Sequence, residues 1–369
     1  MKTIIAVPDF TREAHLKKIL PALLKKLKAQ GVPYKDIEII IATGLHRQPT
    51  KKEIRKNLGA IINKIKVTSH NHRKNHVAYF GKTQKSIPVY LNKKIKDAGS
   101  LITVGVVEPH LYAGYSGGVK VISIGLAGEK TINATHHPRF LDYPATRICS
   151  IRQNPFRDFI QEAARPLPIK YSINIINDKN GRLLRIFGGK PGSSFKKAIR
   201  YSHKTFEKKI KRKFDVVICE VPKPKTVNMY QASRAFNYIT NTRKCVLKNN
   251  SLILVKAGLE EGFGKGLGEK RFMDKMSEMK GPRNTIEEIK KRGCLAGEHR
   301  AYMVAKAMLK ARLGFISKRA HLYKNKNLPF LFFNDLNEAG RFIKMYFKNP
   351  PETYYLKNAF NDILIRNHS

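Results

Sequence analysis

The chain has 369 residues, of which 72 are Lys or Arg and 27 are Asp or Glu, giving a formal charge of 72 − 27 = +45. Its 42% apolar and 9% aromatic content is that of an ordinary globular protein, which excludes chain-wide disorder, and the length predicts two compact units at roughly 150 residues per domain. A membrane-spanning helix needs about 20 consecutive apolar residues, and the longest apolar runs, such as 39–42 and 101–107, are far shorter.

In chain order, β-branched runs alternate with longer amphipathic segments. Strand 3–7, helix 16–28, strand 37–42 and helix 52–58 come first, then a strand at 101–107 and a glycine-rich turn at 114–118. A second series follows the basic run 208–213, with strand 214–220, helix 229–237, strand 251–255, helix 301–313 and the end of a strand at 315–317. Strand and helix in alternation predict α/β architecture: two α/β domains with parallel sheets and an active-site cleft between the domains. The expected division is 1–206, a cofactor-binding catalytic domain, and 207–351, a domain that closes the cleft. Segment 352–369 is a candidate last strand, at 362–365, returning to the first domain.

The N-terminus has one Lys and a short apolar run closed by Asp9, without the apolar core and cleavage site of a signal peptide, so a cytoplasmic location is expected. Cys149, Cys219, Cys245 and Cys294 are widely spaced and form no C-x-x-C pair. That argues against a zinc knuckle or disulfide framework and predicts buried reduced thiols. Most Lys pairs, such as Lys17-Lys18 and Lys25-Lys26, fall at spacings that place them on the outer faces of helices. The run 208–213 reads as a local patch or a basic linker.

Three sites fall where a parallel sheet presents ligands, past the carboxyl ends of strands. Asp9-Phe10-Thr11-Arg12 follows the opening strand. Its Arg fork suits a carboxylate or phosphate, although Asp9 or Thr11 could equally cap a helix. Thr43-Gly44-Leu45-His46-Arg47 follows the apolar run 39–41 and places at the strand end a His, the side-chain type suited to taking or giving a proton at neutral pH. The densest site runs from Glu108 and His110 through Gly114, Ser116, Gly117 and Gly118 to Lys120, and on to Thr131, His136 and His137. Successive glycines allow backbone amides to point at an anion. The run is not a Walker A loop, because Val119 precedes Lys120 and Val121 follows it.

These motifs, Asp9-x-Thr11-Arg12, Ala42-Thr43-Gly44-x-His46-Arg47, His110-x-x-Ala113-Gly114-x-Ser116-Gly117-Gly118-x-Lys120 and Thr131-Ile132-x-Ala134-x-His136, occur in an order and spacing that resemble the nickel-dependent lactate racemase family. Met229-Tyr230-Gln231-Ala232-x-Arg234 continues the likeness. The resemblance implies a nickel-pincer nucleotide, a pyridine-derived mononucleotide with sulfur substituents joined to Lys120 and holding nickel with one histidine, His136. His137 is the alternative ligand, and Asp9, Thr11, Gly114, Ser116, Gly117 and Gly118 would border the cofactor. It also implies racemisation or epimerisation of a 2-hydroxy acid through a 2-keto acid, with His46 and His110 as the two bases. Arg12, Gln231 and Arg234 would bind substrate, Arg12 holding either the substrate carboxylate or the cofactor phosphate. The implied partners are a small 2-hydroxy acid and the host proteins that make the cofactor, with no membrane.

Several positions depart from the family pattern: Arg234 where Lys is frequent, Thr135 for Asn, Ile124 for Pro, Glu13 for Pro, and His299 near a position often aromatic. They point to an acid that need not be lactate. Two other readings stay open here. One is a basic α/β protein that binds nucleic acid or another anion and keeps only the fold. It is disfavoured because aromatic residues are not concentrated with the basic runs. The other is an oxidoreductase with the same tethered cofactor.

Overall fold

The computed structural model describes residues 1–223 and 225–366. The chain forms two units, both α/β with parallel sheets. The first comprises Met1–Glu108, Ala113–Thr135 and Ile151–Thr205, and the second comprises Pro109–Tyr112, His136–Ser150 and Phe206–Ser369. Residues 367–369 of the expected returning segment lie outside the described residues.

The sheet of the first unit has the order 183–189, 169–177, 100–106, 3–8, 37–42, 66–69, all neighbours parallel except the antiparallel pair at the first edge. Ile4, Ile5, Ala6, Val7, Ile39, Ile40 and Ile41 are all buried. Such continuous apolar runs, rather than alternation, are what strands covered on both faces require. Helix Leu16–Ala29 lays Leu16, Ile19, Leu20, Leu23, Leu24 and Leu27 on the core and turns its paired lysines outward. The strand order reverses between Thr3–Pro8 and Ser100–Val106, so the crevice beyond their carboxyl ends is the switch point at which such sheets bind ligands. An antiparallel hairpin, Val77–Lys82 with Pro88–Asn92, is an addition to the elements expected from sequence.

The second unit has a five-stranded parallel sheet in the order 331–333, 311–316, 247–256, 214–220, 353–356. The helix expected at 301–313 is Glu298–Met308, and Ala311–Ile316 instead pairs in parallel with Ser251–Lys256. Ala311, Leu313 and Phe315 are more useful buried on that sheet than as another helical turn. The helix expected at 229–237 divides into Met229–Ala232 and Arg234–Thr240 at Ser233, whose hydroxyl donates to the Tyr230 carbonyl at 3.0 Å. The strand expected near the C-terminus forms as Ile363–Arg366 and pairs with Glu207–Ile210, both in the second unit.

Two local features fix the loops of the first unit. A Cβ on Gly105 would lie 2.9 Å from a Val121 methyl and 3.0 Å from the Gly117 Cα, and one on Gly117 would lie 2.5 Å from a Val107 methyl. Gly117 also has φ +79°, a conformation that favours glycine. The glycine run thus lets the chain lie directly on the central strand. Buried His70, just past strand Lys66–Ser69, accepts from the Asn92 side chain at Nδ1 (3.1 Å) and donates from Nε2 to the Ala127 carbonyl (3.0 Å). Its own carbonyl accepts from the Thr43 hydroxyl (3.0 Å) and the Gln48 amide (2.6 Å), anchoring the loop that carries His46.

Gly117→Ala is expected to lower stability by about 2 kcal/mol or more, from strain plus overpacking, read as a drop in the urea midpoint of the purified protein. Burial first, then the charges of His72 and His76, push the His70 pKa down to about 4 despite the Ala127 bond. The unfolded chain therefore binds the extra proton first as pH falls, so the stability His70 contributes is intact above about pH 6.5 and drains away toward pH 4. The total is on the order of 3 kcal/mol, and urea midpoints measured across that range should fall less steeply in His70→Gln.

Candidate active site

In the first unit, Asp9, Thr11 and His46 come together past the ends of adjacent strands. Asp9 is buried; its Oδ1 accepts from the Thr11 amide (3.1 Å) and hydroxyl (2.5 Å), and its Oδ2 lies 2.7 Å from His46 Nδ1. Burial alone would raise the Asp9 pKa, but the His46 charge and the bonds from His46 and Thr11 outweigh it and hold the carboxyl below its ordinary value. An ionised carboxylate only accepts, so the His46 proton sits on Nδ1 and the lone pair of the neutral ring sits on Nε2. The ring is half-exposed. Neither Asp9 nor Thr11 caps helix Leu16–Ala29; His15, at φ 48°, stands at that N-cap.

Arg12 forms an ion pair with Glu108, bridging the two strand ends at the switch point. Arg47 lies over the Phe10 ring at 4.2 Å and grips Glu53 with two bonds of 2.6 and 2.9 Å, which gives it a structural task.

Several backbone amides of the glycine run already have partners inside the protein. The Tyr115 amide donates to the Ala113 carbonyl (2.8 Å), that of Ser116 to the Glu108 carbonyl (2.9 Å) and that of Gly118 to Asn174 Oδ1 (2.8 Å). The Ser116 hydroxyl donates to the Val106 carbonyl at 2.7 Å. The Gly118 amide thus ties the run to strand Ile169–Asn177, the Ser116 amide ties it to the segment just past strand Ser100–Val106, and the Tyr115 amide closes a local turn. What the run delivers is Lys120, partly buried, as the first residue of the helical turn Lys120–Ser123.

In the second unit, His110, Tyr112, His136 and His299 form one aromatic cluster. The Tyr112 ring meets His110 at 5.9 Å, His136 at 5.5 Å and His299 at 6.0 Å, each edge-on, and the His136 and His299 centroids are 4.7 Å apart. The Tyr112 amide donates to His110 Nδ1 at 3.3 Å, which places the proton of the neutral His110 ring on Nε2, the reverse of His46. Burial, then the charges of His136 and Arg300, push His299 well below its ordinary value and keep it neutral. Burial, partly offset by Arg300, pushes the Tyr112 phenol up to about 12.

His136 is held through its backbone, whose carbonyl accepts from the Cys294 thiol at 3.2 Å. Asp142, in the same segment, accepts from Tyr302 at 2.6 Å and Lys306 at 2.6 Å. His137 acts as a helix cap: its Nδ1 accepts from the Arg139 amide at 3.2 Å. Among the described residues no three His, Cys, Asp or Glu side chains are grouped as a metal site.

Gln231 and Arg234 are together, with Arg234 Nη1 donating to Gln231 Oε1 at 3.3 Å and its guanidinium over the Phe360 ring at 5.3 Å. Sequence reasoning missed Arg300. It is 5% exposed, lies over the Tyr230 ring at 5.6 Å, and its Nε and Nη1 have no hydrogen-bond partner among the described residues. Its signal in the sequence was slight, a cation following a His at the start of a helix.

Residues 1–148 match the family model of the lactate racemase N-terminal domain. The lactate racemase of Thermoanaerobacterium thermosaccharolyticum is 24% identical over 341 residues, covering 91% of this chain and 78% of that protein. The lactate racemase of Lactiplantibacillus plantarum is 26% identical over 293 residues, covering 77% of this chain and 66% of that protein, so the chain matches just under two thirds of its length. The structure of the lactate racemase apoprotein from T. thermosaccharolyticum shares the fold with a TM-score of 0.88 at 23% identity, over 99% of this chain and 87% of that one. A Thermotoga maritima protein solved by structural genomics shares it with a TM-score of 0.73 at 15% identity, over 99% and 94%. The first 148 residues therefore match the lactate racemase N-terminal domain, within a chain similar to lactate racemases over nearly its whole length.

Proposed function

We propose that this protein is an isomerase that interconverts the enantiomers of a 2-hydroxy acid, lactate or a close relative, with nickel held by a nucleotide tethered to Lys120. The observation that carries the reading is that Asp9, Thr11, Arg12, His46, His110, Lys120 and His136 all lie inside the matched 148 residues, while the Asp9 carboxylate lies 2.7 Å from His46 Nδ1.

The residues fit such a group. Lys120 offers a primary amine at the start of a helical turn, and His136 offers a mostly buried imidazole, the one donor the proposed nickel asks of the protein. When bound, the group supplies a carbon that takes hydride from the substrate and gives it back.

The protein's own groups handle protons and charge. His46, oriented by Asp9, presents Nε2 to a substrate hydroxyl, and the imidazolium formed on taking the proton is stabilised by the Asp9 carboxylate. His110, on the other face of the substrate, returns a proton only when it starts as the imidazolium, which leaves a neutral ring behind; in the opposite direction it starts neutral and the two exchange tasks. Arg12 already has a carboxylate partner in Glu108, whereas among the described residues Arg234 and Arg300 make no ion pair. We therefore assign the substrate carboxylate to Arg234 and Arg300 with Gln231, and to Arg12 the fixing of the switch-point crevice. This assignment needs host proteins that make the cofactor, and the expected location is the cytoplasm.

Protein purified from a host that makes the cofactor should carry a mass increment that Lys120→Ala loses together with activity; full activity in that variant would overturn the reading. His46→Ala and His110→Ala should each abolish inversion of either lactate enantiomer while nickel content stays unchanged. Asp9→Asn should lower kcat by at least about 100-fold through the wrong His46 tautomer, followed by chiral separation of products.

A further inference from the structure

A cavity of about 240 Å³ in the first unit lies apart from the residues assigned above. Helices Pro155–Ala164 and Pro191–Phe206 wall it, and Val119, the residue before Lys120, closes one side. Arg157 lines it and is 4% exposed. Its Nε donates to the Ala113 carbonyl at 3.2 Å and its Nη2 donates to the Ala113 and Tyr115 carbonyls. Its Nη1 has no hydrogen-bond partner, and no carboxylate among the described residues pairs with it. Burial pushes its pKa down to about 9, so the cation is held at a cost that an anion would relieve.

The remaining wall has the same sign. Pro191 and Gly192 open a 16-residue helix with no acidic residue in its first turn, leaving the positive end of that helix without an anion. A Cβ at Gly192 would meet nothing within 4 Å, so the space beside that turn is open. Lys196, one turn further on, lines the cavity and makes no ion pair among the described residues. Phe195, Ile199 and Val119 give the cavity an apolar side.

We propose that this cavity is a binding site for a small oxyanion with a short apolar body, its charged end on Arg157, Lys196 and the start of helix Pro191–Phe206. An occupant would rest against Val119 and against the arginine that ties down the glycine hairpin, so its presence would bear on the segment that sets Lys120. The proposal does not depend on the racemase reading, since it concerns binding to the unreacted chain.

Isothermal titration of the purified full chain with butyrate and with inorganic phosphate, at constant ionic strength and against chloride, tests it. Saturable one-to-one binding of at least one of the two is expected, and which one binds decides between a carboxylate and a phosphate ligand. Gly192→Asp, which puts a carboxylate into the open space, and Lys196→Glu should each weaken binding at least tenfold without lowering the melting temperature, whereas Lys344→Ala, at an exposed lysine of the second unit, should leave it unchanged. Arg157→Met should abolish it; if that variant folds poorly, the other two decide. Binding that does not saturate, that chloride reproduces, or that Gly192→Asp and Lys196→Glu leave intact overturns the proposal.

Discussion

Where the strand Ser100–Val106 passes beneath the glycine hairpin, there is no room for a single extra carbon on either side, and the placement of Lys120 depends on that contact. With Gly105 and Gly117 nearly touching, the hairpin cannot lift or slide without opening a gap over a strand buried at all but its first residue. The Ser116 hydroxyl and the Asn174 amide then convert close packing into a fixed register, by taking hydrogen bonds that a looser loop would give to water. Polar stitching of this kind contributes about 1 kcal/mol per bond, but its larger effect is to leave the helical turn after Gly118 one position to occupy.

The same economy governs the titratable groups. Asp9 is buried yet ionised, because His46 and Thr11 together outweigh the cost of taking it from water. His70 and His299 are buried without a carboxylate and stay neutral for that reason. An excess of 45 positive charges over the chain makes each interior acid valuable. Asp9, Glu108, Asp142 and Glu298 all have cationic or imidazole partners within the protein, while Arg157 and Arg300 are interior cations that no described carboxylate meets.

Much of this was legible in the sequence. Uninterrupted apolar runs such as Ile39-Ile40-Ile41 marked strands covered on both faces, and the three loop sites were placed correctly at strand ends because parallel sheets put them there. The motif spacing also anticipated the family match. The glycine run has a role the sequence did not show: glycine signals that a backbone must come close to something, and here Gly117 lies against the protein's own strand while the Gly118 amide bonds to Asn174. Only the end of strand Ala311–Ile316 was read, at 315–317; its start was hidden because Ala311 and Leu313 also fit a continued helix. Arg157 gave no signal and Arg300 only a slight one, since little in a string of letters with 72 basic residues marks the few that fold inside.

Neither unit is a contiguous stretch of chain. The first is interrupted by Pro109–Tyr112 and His136–Ser150, which belong to the second, and is completed only by Ile151–Thr205. During synthesis on a ribosome, therefore, the sheet led by the opening strand lacks its last two strands until residue 189 has emerged, and His110 and His136 must wait unfolded for a framework that begins at residue 206. Any attempt to excise one half by cutting the gene at a single point would separate each unit from residues that complete it.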